Sequence, residues 1–166
     1  MNVQQKNPTQ SKQGFTIIEV VLVLAIAGLI FLMVFLALPA LQRGQRDTQR
    51  KNDLSRVSTQ ITNYSSSNRG SLPPNGSLTT VGTGFTARYL GGTGAVADAN
   101  EYSDPTTGLG YTLSATAPAT LTVGTIYYQT STICGADGAI VGGTGRQFTL
   151  RTQLENQDSP YCIDNR

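Results

Sequence analysis

The stretch from Gly14 to Leu38 limits what this chain can fold into more than any other. It reads Gly14-Phe15-Thr16-Ile17-Ile18-Glu19 and then runs from Val20 to Leu38 without a charged or hydrogen-bonding side chain. At ~1.5 Å rise per residue, a helix from Phe15 to Leu38 is roughly 36 Å long, against ~30 Å of bilayer hydrocarbon. Such a segment must lie in lipid or be covered by other helices. One carboxylate, Glu19, sits near its start, and an ionisable group placed there is costly enough to require a partner.

The rest of the chain is of a different character. Of 166 residues 39% are hydrophobic, many of them in Val20–Leu38, and the remainder is rich in Gly and Thr and poor in charge. That length allows one small domain beyond the helix. The chain carries 12 Lys+Arg and 10 Asp+Glu. Setting aside Lys6 and Lys12 leaves 10 basic against 10 acidic residues from Phe15 onward. That balance argues against nucleic acid as a global electrostatic partner. There is no histidine, so neither a Ser-His nor a Cys-His nucleophile pair can be built. Gly91-Gly92-Thr93-Gly94 lacks the strand-before, helix-after context of a phosphate loop. The chain reads as a non-enzyme without a cofactor.

The two cysteines, Cys134 and Cys162, fit neither a C-x-x-C redox pair nor a zinc site. The simplest reading is one disulfide, which implies an oxidising compartment. Closing a loop of that length stabilises a domain by about 3.5 kcal/mol in the chain-entropy account. Two buried free thiols in a reduced protein are the other reading.

Five segments follow from composition and periodicity. Residues 1–14 form a polar leader, 15–41 the apolar helix, and 42–69 its amphipathic continuation. Residues 70–110 are a Gly/Ser/Thr-rich region read as a long irregular loop with at most short strands. Residues 111–166 form an antiparallel sheet with a disulfide-closed end. Within the continuation, Leu54, Val57, Ile61 and Tyr64 recur at spacings of three, four and three, one buried stripe of a helix. Asn68-Arg69-Gly70 is its stop, so that the helix from Phe15 to Asn68 would be roughly 80 Å long. Pro39 is expected to kink it. Arg43, Arg46, Arg50, Lys51 and Arg56, tempered by Asp47 and Asp53, read as a solvated face with the pairs Asp47–Arg50, Asp47–Lys51 and Asp53–Arg56. Binding of nucleic acid or anionic lipid head groups is the alternative for that cluster. Strands are expected at Tyr111–Ala115, Thr125–Thr130 and Arg146–Leu154. In the last, Phe148, Leu150, Thr152 and Leu154 share one face and Thr149, Arg151 and Gln153 the other. Gly135–Gly138 and Gly142–Gly145 read as turns. The fold class is α+β: a long N-terminal helix packed, through its amphipathic half, on a small C-terminal antiparallel sheet.

Lys12-Gln13-Gly14, followed by Phe15-Thr16-Ile17-Ile18-Glu19 and the apolar run, resembles the N-terminus of bacterial type IV prepilins and pseudopilins. The resemblance extends to about residue 73 through Asp47-x-x-Arg50-x-x-Asp53-Leu54, Ile61-x-x-Tyr64 and Asn68-x-Gly70-x-x-Pro73. It implies a leader cleaved after Gly14, N-methylation of Phe15, and assembly through Glu19, Phe15, Ala25, Gly28 and Pro39. Glu19 would pair with the N-terminal amine of a neighbouring subunit, and small residues such as Ala25 and Gly28 would let helices approach. The family commonly carries a proline about one turn before Pro39, so a melted region of helix would be displaced toward the soluble domain. Asp98, Asn100, Glu101 and Asp104 faintly resemble a pseudopilin loop that holds calcium in some members. An Asp104-Pro105 turn is the plainer reading.

The implied protein is a structural subunit of a type IV pilus, a single-pass membrane precursor that ends in an extracellular filament. Its partners would be other copies of itself in a helical homopolymer, a prepilin peptidase, the inner-membrane pilus assembly machinery and the membrane, with no specific nucleic acid. Adhesion, twitching motility and DNA uptake are all compatible with it. A minor pilin, a secretion-system pseudopilin or a non-polymerising anchored binding domain are the alternatives. One count opposes the orientation. Lys6 and Lys12 precede the span, whereas Arg43, Arg46, Arg50 and Lys51 follow it. Alone, that would hold the C-terminal side in the cytoplasm. The cysteine pair and the resemblance favour the reverse. An ordinary secretory signal is disfavoured, because Pro39-Ala40-Leu41-Gln42 offers no A-x-A-like site after the apolar run.

Overall fold

The computed structural model describes residues 14–116 and 118–166. The predicted leader lies outside them except for Gly14. The chain divides into two units between Ala40 and Leu41.

One helix, α1 (Ile17–Ser67), runs through both units. Its start is capped locally: Thr16 precedes the first turn and Glu19 follows three residues later, the spacing of a capping box. It continues through Pro39, whose missing N–H removes one intrahelical bond. Its end is set by backbone chemistry. Arg69 and Gly70 have φ of 57° and 83°, and the Gly70 N–H reaches back to the Ser65 carbonyl at 2.8 Å. Asn68 Nδ2 caps the Tyr64 carbonyl at 2.8 Å. That is a left-handed helix stop of the kind glycine favours.

In the second unit, Leu54, Val57 and Ile61 of α1 are fully buried, as their spacing requires. They pack in one core with Leu113, Ile126, Tyr128, Phe148 and Leu150 from the sheet. That sheet contains β1 (Thr112–Ser114), β2 (Thr125–Thr130), β5 (Phe148–Thr152) and β6 (Tyr161–Asp164), in the order β1-β2-β5-β6. β2, β5 and β6 are antiparallel, with Tyr128 opposite Leu150 and Leu150 opposite Ile163. β1 is parallel to β2, a departure from the expected all-antiparallel sheet.

Three strands escaped the sequence pattern. β3 (Thr132–Cys134) and β4 (Ile140–Gly142) form a separate hairpin, and β6 completes the main sheet. The hairpin accounts for a second difference. Thr149, expected on an open face, is buried, and its hydroxyl lies 2.8 Å from that of Thr132 in β3. Both faces of β5 are therefore covered, and strict alternation holds only for Phe148, Leu150, Thr152 and Leu154, all buried.

The expected irregular loop at 70–110 is corrected more substantially. It carries a 3-10 turn (Asn75–Leu78) and a short helix, α2 (Phe85–Tyr89). It also delivers Leu78, Phe85, Leu90, Ala97 and Tyr102 to the core. A five-residue helix has no stability of its own. Contacts hold it: the Phe85 and Tyr89 rings stack at 5.4 Å, and Tyr64 of α1 meets both edge-on at 5.9 and 5.4 Å. Gly92 and Gly110 permit the chain to cross itself here, since a Cβ on either would stand 1.9 Å from a carbonyl oxygen, of Val96 and Ala97 respectively.

Cys134 and Cys162 form the disulfide expected from the sequence, with Cα atoms 6.0 Å apart across a separation of 28 residues. It ties the hairpin to β6. Replacing both cysteines by serine is expected to lower unfolding stability by about 3.5 kcal/mol. Denaturant unfolding of the full chain in detergent measures it, and unchanged stability would mean that the hairpin holds its place without the bond.

Candidate functional site

The apolar run was expected to need a partner, and its own chain supplies none among the described residues. Phe15, Ile17, Leu29, Phe31 and Phe35 are all largely exposed, Phe15 at 88%. The most apolar 18-residue window of α1 has a mean hydropathy of 3.2 and is 0% buried. Gly14 and Glu19 are exposed as well, and Gly28 has open space where a Cβ would stand. Ala25, Gly28 and Pro39 all fall within this helix. The helix therefore presents a long apolar surface with a single carboxylate at its beginning.

That carboxylate is held locally. The Thr16 hydroxyl donates to Glu19 Oε2 at 3.2 Å and the Thr16 N–H to the same oxygen at 3.4 Å, while the Glu19 N–H returns to Thr16 Oγ1 at 3.4 Å. The T-x-x-E spacing was the sequence signal for this arrangement.

The second charged constellation lies further along α1. The basic cluster expected to be solvated is instead partly buried, because acidic groups from two distant segments come down onto it. Arg50 is 1% exposed. Its Nε donates to Asp104 Oδ1 at 2.7 Å, its Nη1 to Asp47 Oδ1 at 3.0 Å, and its Nη2 to Thr106 Oγ1 at 2.6 Å. Nη1 also stands 2.9 Å from Glu155 Oε1. Arg46 grips Glu155 with two parallel bonds, at 2.9 and 2.5 Å. Asp47 takes the backbone N–H groups of Glu155 and Asn156 at 2.9 and 3.0 Å. A buried guanidinium is tolerated only with such a complete set of partners. Hydrogen bonds from Arg46 pull the Glu155 carboxyl down, against burial and with help from Thr106 and Arg50, to about 2.

The expected pairs Asp47–Arg50 and Asp53–Arg56 form, the second at 3.3 Å. Asp47–Lys51 does not. Asp47 is occupied as described, and the Lys51 ammonium lies 5.1 Å from the centre of the Tyr161 ring. Arg56 similarly covers Tyr102, at 4.5 Å. Asp53 is buried against the Tyr111 hydroxyl at 3.2 Å, and burial raises its carboxyl above the ordinary range despite Tyr111 and Arg56. Sequence reasoning missed Thr106 and Glu155, because nothing local marks residues that meet Arg50 and Arg46 from 56 and 109 positions away.

The calcium set is not assembled. Asp104 is committed to Arg50 and to the Thr107 N–H at 3.2 Å, within the turn that Asp104-Pro105 was expected to make. Asp98 Oδ1 accepts from the backbone N–H and side chain of Asn100, at 3.0 and 2.9 Å. Glu101 is exposed.

Residues 9–35 match the family model described as the prokaryotic N-terminal methylation motif. That is the type IV prepilin signature, and it supports a protein of the type IV pilin or pseudopilin type, a structural class rather than an enzyme family. With the apolar helix, it fits a membrane-anchored precursor, and it implies processing by a prepilin peptidase. The match ends before the second unit begins. No curated protein and no solved structure matches the chain.

The charge cluster makes stability depend on acid. Glu155 titrates lower folded, at about 2, than its ordinary 4.5. Its contribution is thus complete above 4.5 and is lost as the pH falls toward 2. Unfolding midpoints measured from pH 6 down to pH 2 are expected to fall across this window, and Glu155→Gln to flatten the slope. An equal slope in the variant would remove Glu155 as its source.

Proposed function

We propose that the chain is a structural subunit of a type IV pilus. It is inserted as a single-pass precursor, cleaved after Gly14, methylated on the new amine of Phe15, and polymerised through its N-terminal helix. The observation that carries this reading is the prepilin signature at 9–35, which runs into a helix whose apolar surface is left uncovered by its own chain among the described residues. Lipid covers that surface before assembly and the helices of other copies cover it afterwards, with Ala25 and Gly28 offering points of close approach. The second unit forms the outer surface of an extracellular filament. The partners are further copies of the chain, a prepilin peptidase and the inner-membrane assembly machinery. Adhesion, twitching motility and DNA uptake are the activities such a filament serves.

Glu19 gives the assembly its register. Cleavage creates a cation at Phe15, and in the apolar interior of a fibre a carboxylate is tolerated only beside such a partner. The pair penalises misplaced subunits more than it adds stability. Glu19→Ala is expected to be cleaved and inserted as before and to yield no fibres. A normal yield of sheared fibres from the variant would sink the pairing.

Gly14 suits a peptidase subsite that accepts no side chain. Gly14→Glu is expected to retain residues 1–14, read by intact mass. A normal mature terminus in that variant would refute the cleavage site. The whole reading is tested by intact mass and N-terminal sequencing of the protein in sheared surface material. A chain that starts at methylated Phe15 supports it. A chain confined to membranes and still carrying its leader would indicate a non-polymerising anchored domain. Abundance in the sheared material separates a major subunit from a minor pilin or a secretion-system pseudopilin.

A further inference from the structure

Arg151 stands on the face of β5 turned away from the core, opposite Tyr127 of β2 and Cys162 of β6. Its Nε is buried and has no hydrogen-bond partner. Its Nη1 donates only to the Gly138 carbonyl, at a long 3.4 Å. Among the described residues no carboxylate pairs with it. Burial loosens the hold of the guanidinium on its proton, and the neighbouring Tyr127 opposes that effect. Gln129 of β2 shares the face two residues along, and its Oε1 is likewise buried without a partner. Buried polar groups are rarely left this way, because the bonds they gave up to water are not replaced.

The β3–β4 hairpin lies over this face, setting Thr132 on Thr149 and its Gly138 turn on Arg151. It is weakly anchored. It contributes no residue to the core cluster, its strand residues are half-buried or exposed, and it leaves the sheet through Ser131 at a φ of 60°. An element with so little buried apolar surface opens at low cost. The fastening is concentrated at Cys134: its bond to Cys162, its N–H on Asp164 Oδ2 at 2.8 Å, and its carbonyl under Arg166 Nη2 at 2.9 Å. A disulfide across a loop of this length favours the closed form by roughly two orders of magnitude. Two buried polar atoms without partners oppose closure by about tenfold each. We infer that the hairpin is a cover locked by its disulfide over a cationic patch. Reduction of Cys134–Cys162 lifts the cover and bares Arg151 and Gln129, while the rest of the second unit stays folded. A dithiol reductant balances the step: the S–S bond breaks, two electrons and two protons pass to the sulfurs, and the reductant leaves as its own disulfide. Closure is the reverse and draws on a disulfide oxidant, so the patch is covered only in an oxidising compartment.

The test uses the full chain in detergent, oxidised and after treatment with dithiothreitol. Both forms react with phenylglyoxal, and peptide masses give the modification rate at each arginine. Arg50, buried in the separate ion cluster, reports whether the unit as a whole has unfolded. Reduction is expected to speed modification of Arg151 about tenfold or more and to leave Arg50 protected. An unchanged rate at Arg151 overturns the inference, because the hairpin then stays closed without its bond. So does a parallel rise at Arg50, which would make the opening global. A second arm follows alkylation of the reduced thiols by iodoacetamide in the parent and in Arg151→Met. Methionine removes the polar penalty, so its thiols are expected to react about tenfold more slowly. Equal rates remove Arg151 from the device. An Arg151→Met chain in which Arg50 becomes reactive would show that the guanidinium supports the closed fold, which contradicts the inference as well.

Discussion

Between Phe15 and Leu38 the large apolar side chains stand exposed, from 47% at Val20 to 88% at Phe15. Burying one Val, Leu, Ile, Phe or Met is worth about 1.5–3 kcal/mol. Summed over the run, the unmet burial is on the order of tens of kcal/mol, several times the ~5–15 kcal/mol that holds a domain together. No rearrangement of a small polar domain could absorb it. The chain must spend its existence in lipid or among other helices, and each feature of its first unit follows from that. The carboxylate at Glu19 stands at the start of that run, exposed and held by Thr16.

The same helix does a different job past Leu41. Leu54, Val57 and Ile61 supply one wall of an ordinary core, and Arg46, Asp47 and Arg50 fasten the segments around Asp104 and Glu155 to it. The two halves obey opposite rules. In the first, Glu19 is the single charged side chain among the described residues. In the second, charges are numerous, and nine of the nineteen form ion pairs within the chain.

Much of this was legible in the sequence, and the boundary of legibility has physical causes. The helix, its stop at Asn68-Arg69-Gly70, the buried stripe and the disulfide could be read because each rests on local spacing or on simple counting. β2 and the core face of β5 emerged from their two-residue period. α2 did not, because five residues carry too little pattern and its stability comes from Tyr64, far away in sequence. β3, β4 and β6 are three or four residues long, below the length at which alternation is distinguishable from chance. The solvated reading of the basic helix face failed for a related reason. Arg50 looks like any surface arginine until Asp104 and Glu155 are brought to it, and only tertiary structure does that. At the start of the helix, Glu19 and Gly14 could be named from the motif, whereas the hold of Thr16 on Glu19 became visible with its hydrogen bonds.

The ion cluster also bears on which way round the chain sits in a membrane. Unfolded, the flank after the span offers four cations, Arg43, Arg46, Arg50 and Lys51, which resist transfer across a bilayer. Folded, Arg46 and Arg50 are matched by Glu155, Asp47 and Asp104, and Lys51 rests on Tyr161. Among the described residues, Arg43 alone of the four has neither an ion pair nor an aromatic partner. Folding of the second unit thus gives partners to three of the four cations that the extended chain would leave bare.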